Sequence, residues 1–154
     1  MKSVVVRRPG GHEALELVDS SDPVAGPGQV RVRVRAAGIN YADTIVREGW
    51  YEAAKGKYPI TPGFEFAGVV DQSLSPSFKP GDWVFGFTRF GGYSSIQIAE
   101  PGRLRPIPPG WSFADCAGAP WPDAVAQQSA QPSEVWRLQL LAAVRATPPF
   151  GIFV

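Results

Sequence analysis

Short stretches of alternating apolar and polar residues, separated by Gly and Pro, run through most of this chain. The clearest stretch covers residues 30–35, where three valines alternate with three arginines. A period of two places the valines on one face of a β-strand and the arginines on the other. We interpret the arginine row as a solvated sheet face, with an anion site as the alternative, because strand spacing alone produces such a row.

Weaker patterns predict further strands at 3–8, 13–18, 64–71, 83–88 and 93–99. Many short strands joined by Gly/Pro turns are typical of a mainly β fold, either a small barrel or a sandwich.

Two short helices interrupt these strands. Residues 41–48 read as a helix that ends at Gly49, and a second helix is predicted at 112–117. Ser112 is expected to cap the second helix, with Asp115 in its first turn.

The pattern changes near residue 120, after which only 134–146 has helical spacing of apolar residues. We therefore expect residues 1–119 to form the folded domain. Residues 120–154 are expected to form a partly helical or disordered tail whose removal leaves that domain folded.

Composition narrows the possible classes of protein. A length of 154 residues suits about one domain, and 17 Gly with 16 Pro favour a turn-rich β protein over a helical bundle. The net charge of +1 does not favour nucleic acid or an anionic membrane as a partner. With one Cys and one His, the chain offers no internal disulfide and no metal cluster. No apolar run reaches signal-peptide or membrane-helix length, so we expect a soluble cytoplasmic protein.

Four segments carry candidate chemistry, and their order is informative. Residues 38–43 read Gly-Ile-Asn-Tyr-Ala-Asp, and residues 63–68 read Gly-Phe-Glu-Phe-Ala-Gly. Together with 47–51 and 79–86, these segments resemble the N-terminal domain of the medium-chain dehydrogenase/reductase superfamily. In zinc-dependent alcohol dehydrogenases of that superfamily, Cys stands at the position of Asn40 and His at that of Phe64. Neither an amide nor a benzene ring replaces those zinc ligands, so the chain resembles the zinc-free quinone oxidoreductases.

This resemblance implies a GroES-like, partly open β-barrel with short helices for residues 1–119. It further implies that this domain forms one wall of a cleft, while a Rossmann domain forms the other wall and most of the NADPH site. The implied reaction is hydride transfer from NADPH to a small-molecule quinone or α,β-unsaturated carbonyl, without a metal.

The same resemblance implies that Asn40, Asp43 and Tyr51 face the nicotinamide and the substrate. Asn40 and Tyr51 are the catalytic candidates, because an amide can donate to a carbonyl oxygen and a phenol to developing oxyanion charge. Asn40 and Asp43 are the cofactor-binding candidates. The alternatives are that Asn40 only caps the helix that follows and that Tyr51 is an ordinary loop aromatic.

The remaining reactive residues are interpreted as structural. Glu65 and Asp82 lie beside glycine turns at strand ends, and His12 lies in a glycine-rich turn. We expect His12 to be a solvated loop residue and Cys116 to pack as a small apolar group.

The sequence has no glycine-rich dinucleotide fingerprint, and its resemblance to the family ends near residue 119. A truncated gene, a frameshift or a spliced isoform would each produce this pattern. We therefore expect this chain alone to bind NADPH weakly and to be a weak or inactive enzyme. A non-enzymatic interaction module and a fragment of a zinc-free enoyl reductase are the alternative functions. The oligomeric state stays open.

Overall fold

The structure, a computed structural model, describes residues 1–118 and 151–152 and is mainly β with two short helices. The helices are α1 (Tyr41–Glu48) and α2 (Phe113–Ala117). The strands are β1 (Lys2–Val6), β2 (Leu15–Asp19), β3 (Val30–Gly38), β4 (Glu65–Ser73), β5 (Trp83–Phe87), β6 (Ile96–Ala99), β7 (Leu104–Pro106) and β8 (Gly151–Ile152). No helix in the described residues is long and apolar enough to cross a membrane.

One antiparallel sheet dominates the fold, with the strand order β6-β3-β4-β5-β7. Strand β8 pairs with the last two residues of β3. Strands β1 and β2 form a separate antiparallel pair. Single bridges from Ser3 to Ser94 and from Val6 to Ile60 attach β1 to the loops around the main sheet.

The alternation seen in residues 30–35 is confirmed by the burial of β3. Val30, Val32 and Val34 are at most 5% exposed. They pack into the sheet's main apolar cluster, together with Phe66, Val70, Val84, Ala99 and Leu104. Strand β3 lies between β4 and β6 in the strand order and leads into α1.

The arginines of β3 lie on the opposite face and are partly neutralised. Arg31 makes a two-point ion pair with Asp71, through Nε to Oδ1 at 2.8 Å and Nη2 to Oδ2 at 3.2 Å. The Arg33 Nη2 atom lies 3.0 Å from the same carboxylate. Cross-strand pairing with β4 therefore accounts for two of the three arginines.

The first helix has the predicted bounds. Its C-cap, Gly49, has φ +85°, and its backbone N–H bonds back to α1 carbonyls. Glycine reaches this left-handed conformation without steric cost, which explains why the helix ends there. The second helix begins one residue after the predicted start, with Ser112 as its N-cap.

Several strand predictions differ from the structure, since β1 ends at Val6 rather than at residue 8 and β2 begins at Leu15 rather than at residue 13. Strand β6 begins at Ile96, not at residue 93: Ser94 bridges Ser3 of β1, and Ser95 donates its N–H to Lys2 of β1 while its carbonyl accepts the Val34 N–H of β3. Strand β7 was not predicted, since three residues ending in Pro give too short a pattern. Strand β8 was not predicted either, and the helix predicted at 134–146 lies outside the described residues.

Candidate active site

The end of β3 leads directly into α1, and this junction carries two of the three predicted site residues. Asn40 is the N-cap of α1, in an extended conformation, and Asp43 is the third residue of the helix. The Asn40 backbone N–H donates to Asp43 Oδ2 at 2.8 Å. This bond closes the first turn and satisfies a backbone donor that the helix itself cannot pair.

Asp43 is a buried carboxylate with three protein donors. It is 6% exposed. Besides the Asn40 backbone, its Oδ2 accepts the Tyr93 hydroxyl at 2.8 Å, and its Oδ1 accepts the Gly63 backbone N–H at 2.9 Å. Burial raises the pKa of Asp43, while these three hydrogen bonds lower it by a smaller amount. Since both oxygens face protein donors, the structure gives this carboxylate an internal role, and its contact with a cofactor stays a prediction.

The Asn40 side chain is oriented by a second buried acid. Its Nδ2 donates to Glu65 Oε2 at 2.9 Å, and Glu65 is 2% exposed. This contact turns the NH₂ group of the amide, its donor end, toward Glu65. The second N–H of half-buried Asn40 then remains for other contacts, while its side chain also takes part in the capping box with Asp43.

Tyr51 lies at the same site within an aromatic cluster. Its ring centroid is 5.6 Å from that of Phe64 and 6.2 Å from that of Phe90. The Phe64 and Phe90 rings are 5.8 Å apart, which completes a triangle of tilted rings. The three rings join the apolar cluster between α1 and the loops around it. The position of Tyr51 is therefore defined by packing, and its catalytic role stays a prediction.

Three consecutive residues, 63–65, connect all the predicted site residues. The Gly63 N–H bonds to Asp43, the Phe64 ring packs against Tyr51, and the Glu65 carboxylate bonds to the Asn40 amide. The second glycine-rich segment of the sequence thus holds the first one in place. Direct contact joins Asn40 with Asp43, whereas Tyr51 joins the group through Phe64.

The ring of Phe64 fills the position where zinc-dependent relatives are expected to place a His ligand. Phe64 is 1% exposed and is enclosed by apolar residues. Among the residues that the structure describes, no group of three or more His, Cys, Asp or Glu could hold a metal ion. Asn40 and Phe64 therefore offer no zinc ligand set here.

The other reactive residues have structural surroundings. Cys116 is buried, and burial, with a smaller contribution from Asp115, raises the pKa of its thiol to about 12, so it packs as the predicted apolar group. The His12 side chain is 97% exposed, as expected for a solvated turn residue. Asp82 accepts the Lys79 backbone N–H inside its turn. These interpretations are confirmed by the structure.

Sequence reasoning missed Tyr93 and Phe90. Tyr93 contacts Asp43 across 50 positions of sequence, and Phe90 approaches Tyr51 across 39. Both follow β5 in a loop whose only sequence signal is its pair of glycines. No local pattern could have assigned them to this site, because the approach depends on how two distant loops cross.

Exposed apolar side chains lie at both ends of α1. Ile39 and Tyr41, at its start, are 39% and 81% exposed, and Trp50, just after its C-cap, is 76% exposed.

The fold and this junction define the class of protein. The alcohol dehydrogenase GroES-like domain family matches residues 26–109. That span includes Asn40, Asp43, Tyr51 and the 63–65 segment. The chain belongs to this family, within the medium-chain dehydrogenase/reductase superfamily.

Named relatives include quinone oxidoreductases. The chain is 35% identical over 117 residues to the mouse protein named quinone oxidoreductase, covering 73% of this chain and 35% of that protein. It is 32% identical over 123 residues to the human protein named synaptic vesicle membrane protein VAT-1 homolog-like, covering 78% of this chain and 29% of that protein. These matches confirm the predicted fold class and superfamily.

A solved structure extends the likeness to three dimensions. The Escherichia coli quinone oxidoreductase, crystallised in complex with NADPH, matches with a TM-score of 0.70 and 28% sequence identity. The match covers 76% of this chain and 36% of that one. The chain thus spans about a third of the length of these relatives.

Proposed function

We propose that this chain forms the substrate-side wall of a zinc-free, NADPH-dependent oxidoreductase that reduces quinones or α,β-unsaturated carbonyls. One observation carries the proposal. An amide and a buried ring, Asn40 and Phe64, occupy the two expected metal-ligand positions, and residues 63–65 hold the amide in a defined orientation. The quinone oxidoreductases among the relatives support the same reaction class.

The chemistry assigned to Asn40 follows from its hydrogen bonds. One N–H of its amide goes to Glu65, which leaves the second N–H for a substrate carbonyl oxygen. A donor fixed before the reaction stabilises oxyanion charge as that charge develops, without reorganisation at that moment. Asn40 thereby takes the polarising role that a metal ion would otherwise have.

Tyr51 has the complementary role in this proposal. Packing against Phe64 and Phe90 holds its ring, and the phenol donates a proton toward the reduced oxygen. NADPH, when bound, supplies the hydride. The exposed rings of Tyr41 and Trp50 would help to exclude water from the closed site.

Binding to the 154-residue chain is the first test. We expect calorimetry with NADPH to give a dissociation constant no tighter than about millimolar, roughly −4 kcal/mol. Elemental analysis should give well under one equivalent of zinc. Micromolar NADPH binding would reveal a cofactor site within this chain, and stoichiometric zinc would contradict the zinc-free chemistry.

In this proposal the hydride comes from NADPH held by a nucleotide-binding domain, so the second test joins residues 1–118 to that domain of a quinone oxidoreductase. NADPH oxidation should then depend on an added quinone and persist in a chelator. Asn40→Ala should lower kcat/KM by about 100-fold or more, as expected for losing one oxyanion donor. Tyr51→Phe should lower it by about tenfold or more, with Tyr58→Phe as the matched control. No quinone-dependent turnover from a folded, NADPH-binding fusion would contradict the proposal.

A further inference from the structure

We propose that Tyr93 is a positioning residue for Asn40 and acts through the carboxylate of Asp43. The hydroxyl of Tyr93 and the backbone N–H of Asn40 share one acceptor atom, Asp43 Oδ2, each at 2.8 Å. The hydroxyl therefore helps to fix the oxygen that anchors Asn40 at the start of α1. The effect of Tyr93 on catalysis rests on the proposed function, whereas its effect on the position of Asn40 does not.

The loop that carries Tyr93 is held firmly against the segment before β4. Three backbone hydrogen bonds join them: Gly91 N–H to Thr61 O at 2.8 Å, Gly92 N–H to Gly63 O at 2.9 Å, and Tyr93 N–H to Pro62 O at 3.0 Å. On its other side, the Tyr93 carbonyl accepts the Val4 N–H of β1 at 2.9 Å. The backbone of Tyr93 is thus hydrogen-bonded both to the segment before β4 and to β1, and this holds the phenol beside Asp43.

Gly63 makes this crossing possible. Its φ is +94°, and a Cβ built there would lie 2.6 Å from the Tyr93 nitrogen and 2.7 Å from a ring carbon of Tyr93. Only glycine allows such an approach. The same residue gives its N–H to Asp43 Oδ1, so one glycine brings both the phenol and a second donor to the carboxylate.

Three donors therefore converge on the two oxygens of Asp43. A carboxylate can accept all three hydrogen bonds, whereas a protonated acid has one oxygen that carries a proton and acts as a donor. Burial, together with the charge of Asp43, raises the pKa of the Tyr93 hydroxyl, so it stays a donor at neutral pH. Removing the hydroxyl leaves Asp43 Oδ2 bonded to Asn40 alone. The carboxylate can then rotate, and the start of α1 loses its fixed orientation.

The test compares two Tyr→Phe variants of the 154-residue chain by ¹⁵N NMR and amide hydrogen exchange. Tyr93→Phe should speed exchange of the Asn40 and Gly63 backbone amides roughly 10- to 100-fold, the range expected for losing a hydrogen bond to a charged group. It should also shift the side-chain NH₂ resonances of Asn40. Tyr58→Phe is the control, because the Tyr58 hydroxyl donates to the Val46 carbonyl of the same helix without touching Asp43.

Unchanged Asn40 signals in Tyr93→Phe would overturn the proposal. Equal effects of the two variants would also overturn it, since they would indicate only a general loosening of α1. If Tyr93→Phe does not fold, a pH titration of the unsubstituted chain decides the matter. The Tyr93 ring and the amides of Asn40 and Gly63 should then follow one shared titration of Asp43.

Glu65 is the other titratable group near this cluster, through its bond to Asn40 and its effect on Tyr93. An Asp43→Asn variant should abolish a titration that belongs to Asp43. Separate titrations of the Tyr93 ring and the Asn40 amide would contradict the shared carboxylate. Neither readout involves NADPH or a quinone, so failure here is distinct from failure of the proposed function.

Discussion

The two helices of the described chain begin with the same local motif in opposite surroundings. Before α1, Asn40 gives its backbone N–H to the acid three residues later, Asp43. Before α2, Ser112 gives its backbone N–H to Asp115 at 3.0 Å in the same way. Yet the pKa of Asp43 is raised and that of Asp115 is lowered.

The difference lies in what surrounds each carboxylate. Asp115 stays accessible to water, and hydrogen bonds from the side chain and backbone of Ser112 to its carboxylate favour its charged form. Asp43 is enclosed by the loops that carry Gly63 and Tyr93, so loss of hydration outweighs its hydrogen bonds. One motif thus caps a surface helix, while the other joins three distant segments of the chain.

The sharpest test of this contrast is truncation of each acid. Asp43→Ala removes the shared acceptor of three donors in a buried site, and we expect a loss of about 3 kcal/mol in unfolding free energy. Asp115→Ala should cost about 1 kcal/mol, as for loss of an exposed cap. Urea denaturation at neutral pH measures both. Equal losses would mean that the loops carrying Gly63 and Tyr93 add no stability beyond that of the capping motif itself.

Substitution of Gly63 tests the crossing itself. Gly63→Ala introduces a Cβ within 2.8 Å of both the Tyr93 nitrogen and the Gly92 carbonyl carbon, at φ +94°. We expect a loss of roughly 2–3 kcal/mol from strain and displaced backbone. Gly28→Ala is the control, because Gly28 has φ +77° with no atom within 4 Å of the added methyl group. A Gly63→Ala effect no larger than that control would contradict the close approach.

A smaller effect is expected at the second helix. Ser112→Ala removes the side chain that accepts the Asp115 N–H at 3.1 Å, which should cost about 1 kcal/mol. Thermal unfolding measures the loss. Because the Ser112–Asp115 hydrogen bonds do not involve Asp43, amide exchange at Asn40 should stay unchanged. Faster exchange at Asn40 would show that the two helix starts are coupled.

The smallest predicted effect is a difference in pH dependence. A raised pKa means that folding favours protonated Asp43. Its contribution to the free energy of unfolding is therefore full below the ordinary carboxyl pKa of about 3.9, and it is lost as pH rises through the pKa of Asp43 in the folded chain. A lowered pKa makes the Asp115 contribution present above about 3.9 and lost as pH falls through its folded value.

Asn variants at the two positions separate these terms. Carboxyl groups titrate within about pH 3 to 7. Over this range, the stability of Asp115→Asn should fall further below that of the unsubstituted chain as pH rises. The deficit of Asp43→Asn should shrink over the same range. Parallel curves for the two variants would contradict the opposite shifts.

Local sequence was sufficient to predict much of the secondary structure around the site. The Val/Arg alternation predicted the buried and solvated faces of β3, Gly49 predicted the end of α1, and Ser112 with Asp115 predicted the start of α2. Each depends on neighbours within a few residues, where backbone geometry and side-chain spacing decide the outcome. The positions of Asn40 and Phe64 likewise pointed to a site without a metal ligand set, through resemblance to a known family.

Tertiary structure decided what those residues contact. The carboxylate of Asp43 meets Tyr93 and Gly63, which are 50 and 20 positions away, and its contact with a cofactor stays a prediction. Asn40 is the helix N-cap, as the alternative raised from sequence has it, and it is also bonded to Glu65; its catalytic role stays a prediction.

By itself, the sequence determined the bounds of α1, the capping pair at the start of α2, which face of β3 is buried, and which family the chain belongs to. Only the tertiary structure decided that one capping acid is enclosed and the other stays in water. The physical reason is that a hydrogen bond between near neighbours is set by local geometry, whereas desolvation depends on which distant loops close over a group. The crossing at Gly63 and Tyr93 supplies that enclosure for Asp43, and α2 has no equivalent over Asp115 in the part of the chain that the structure describes.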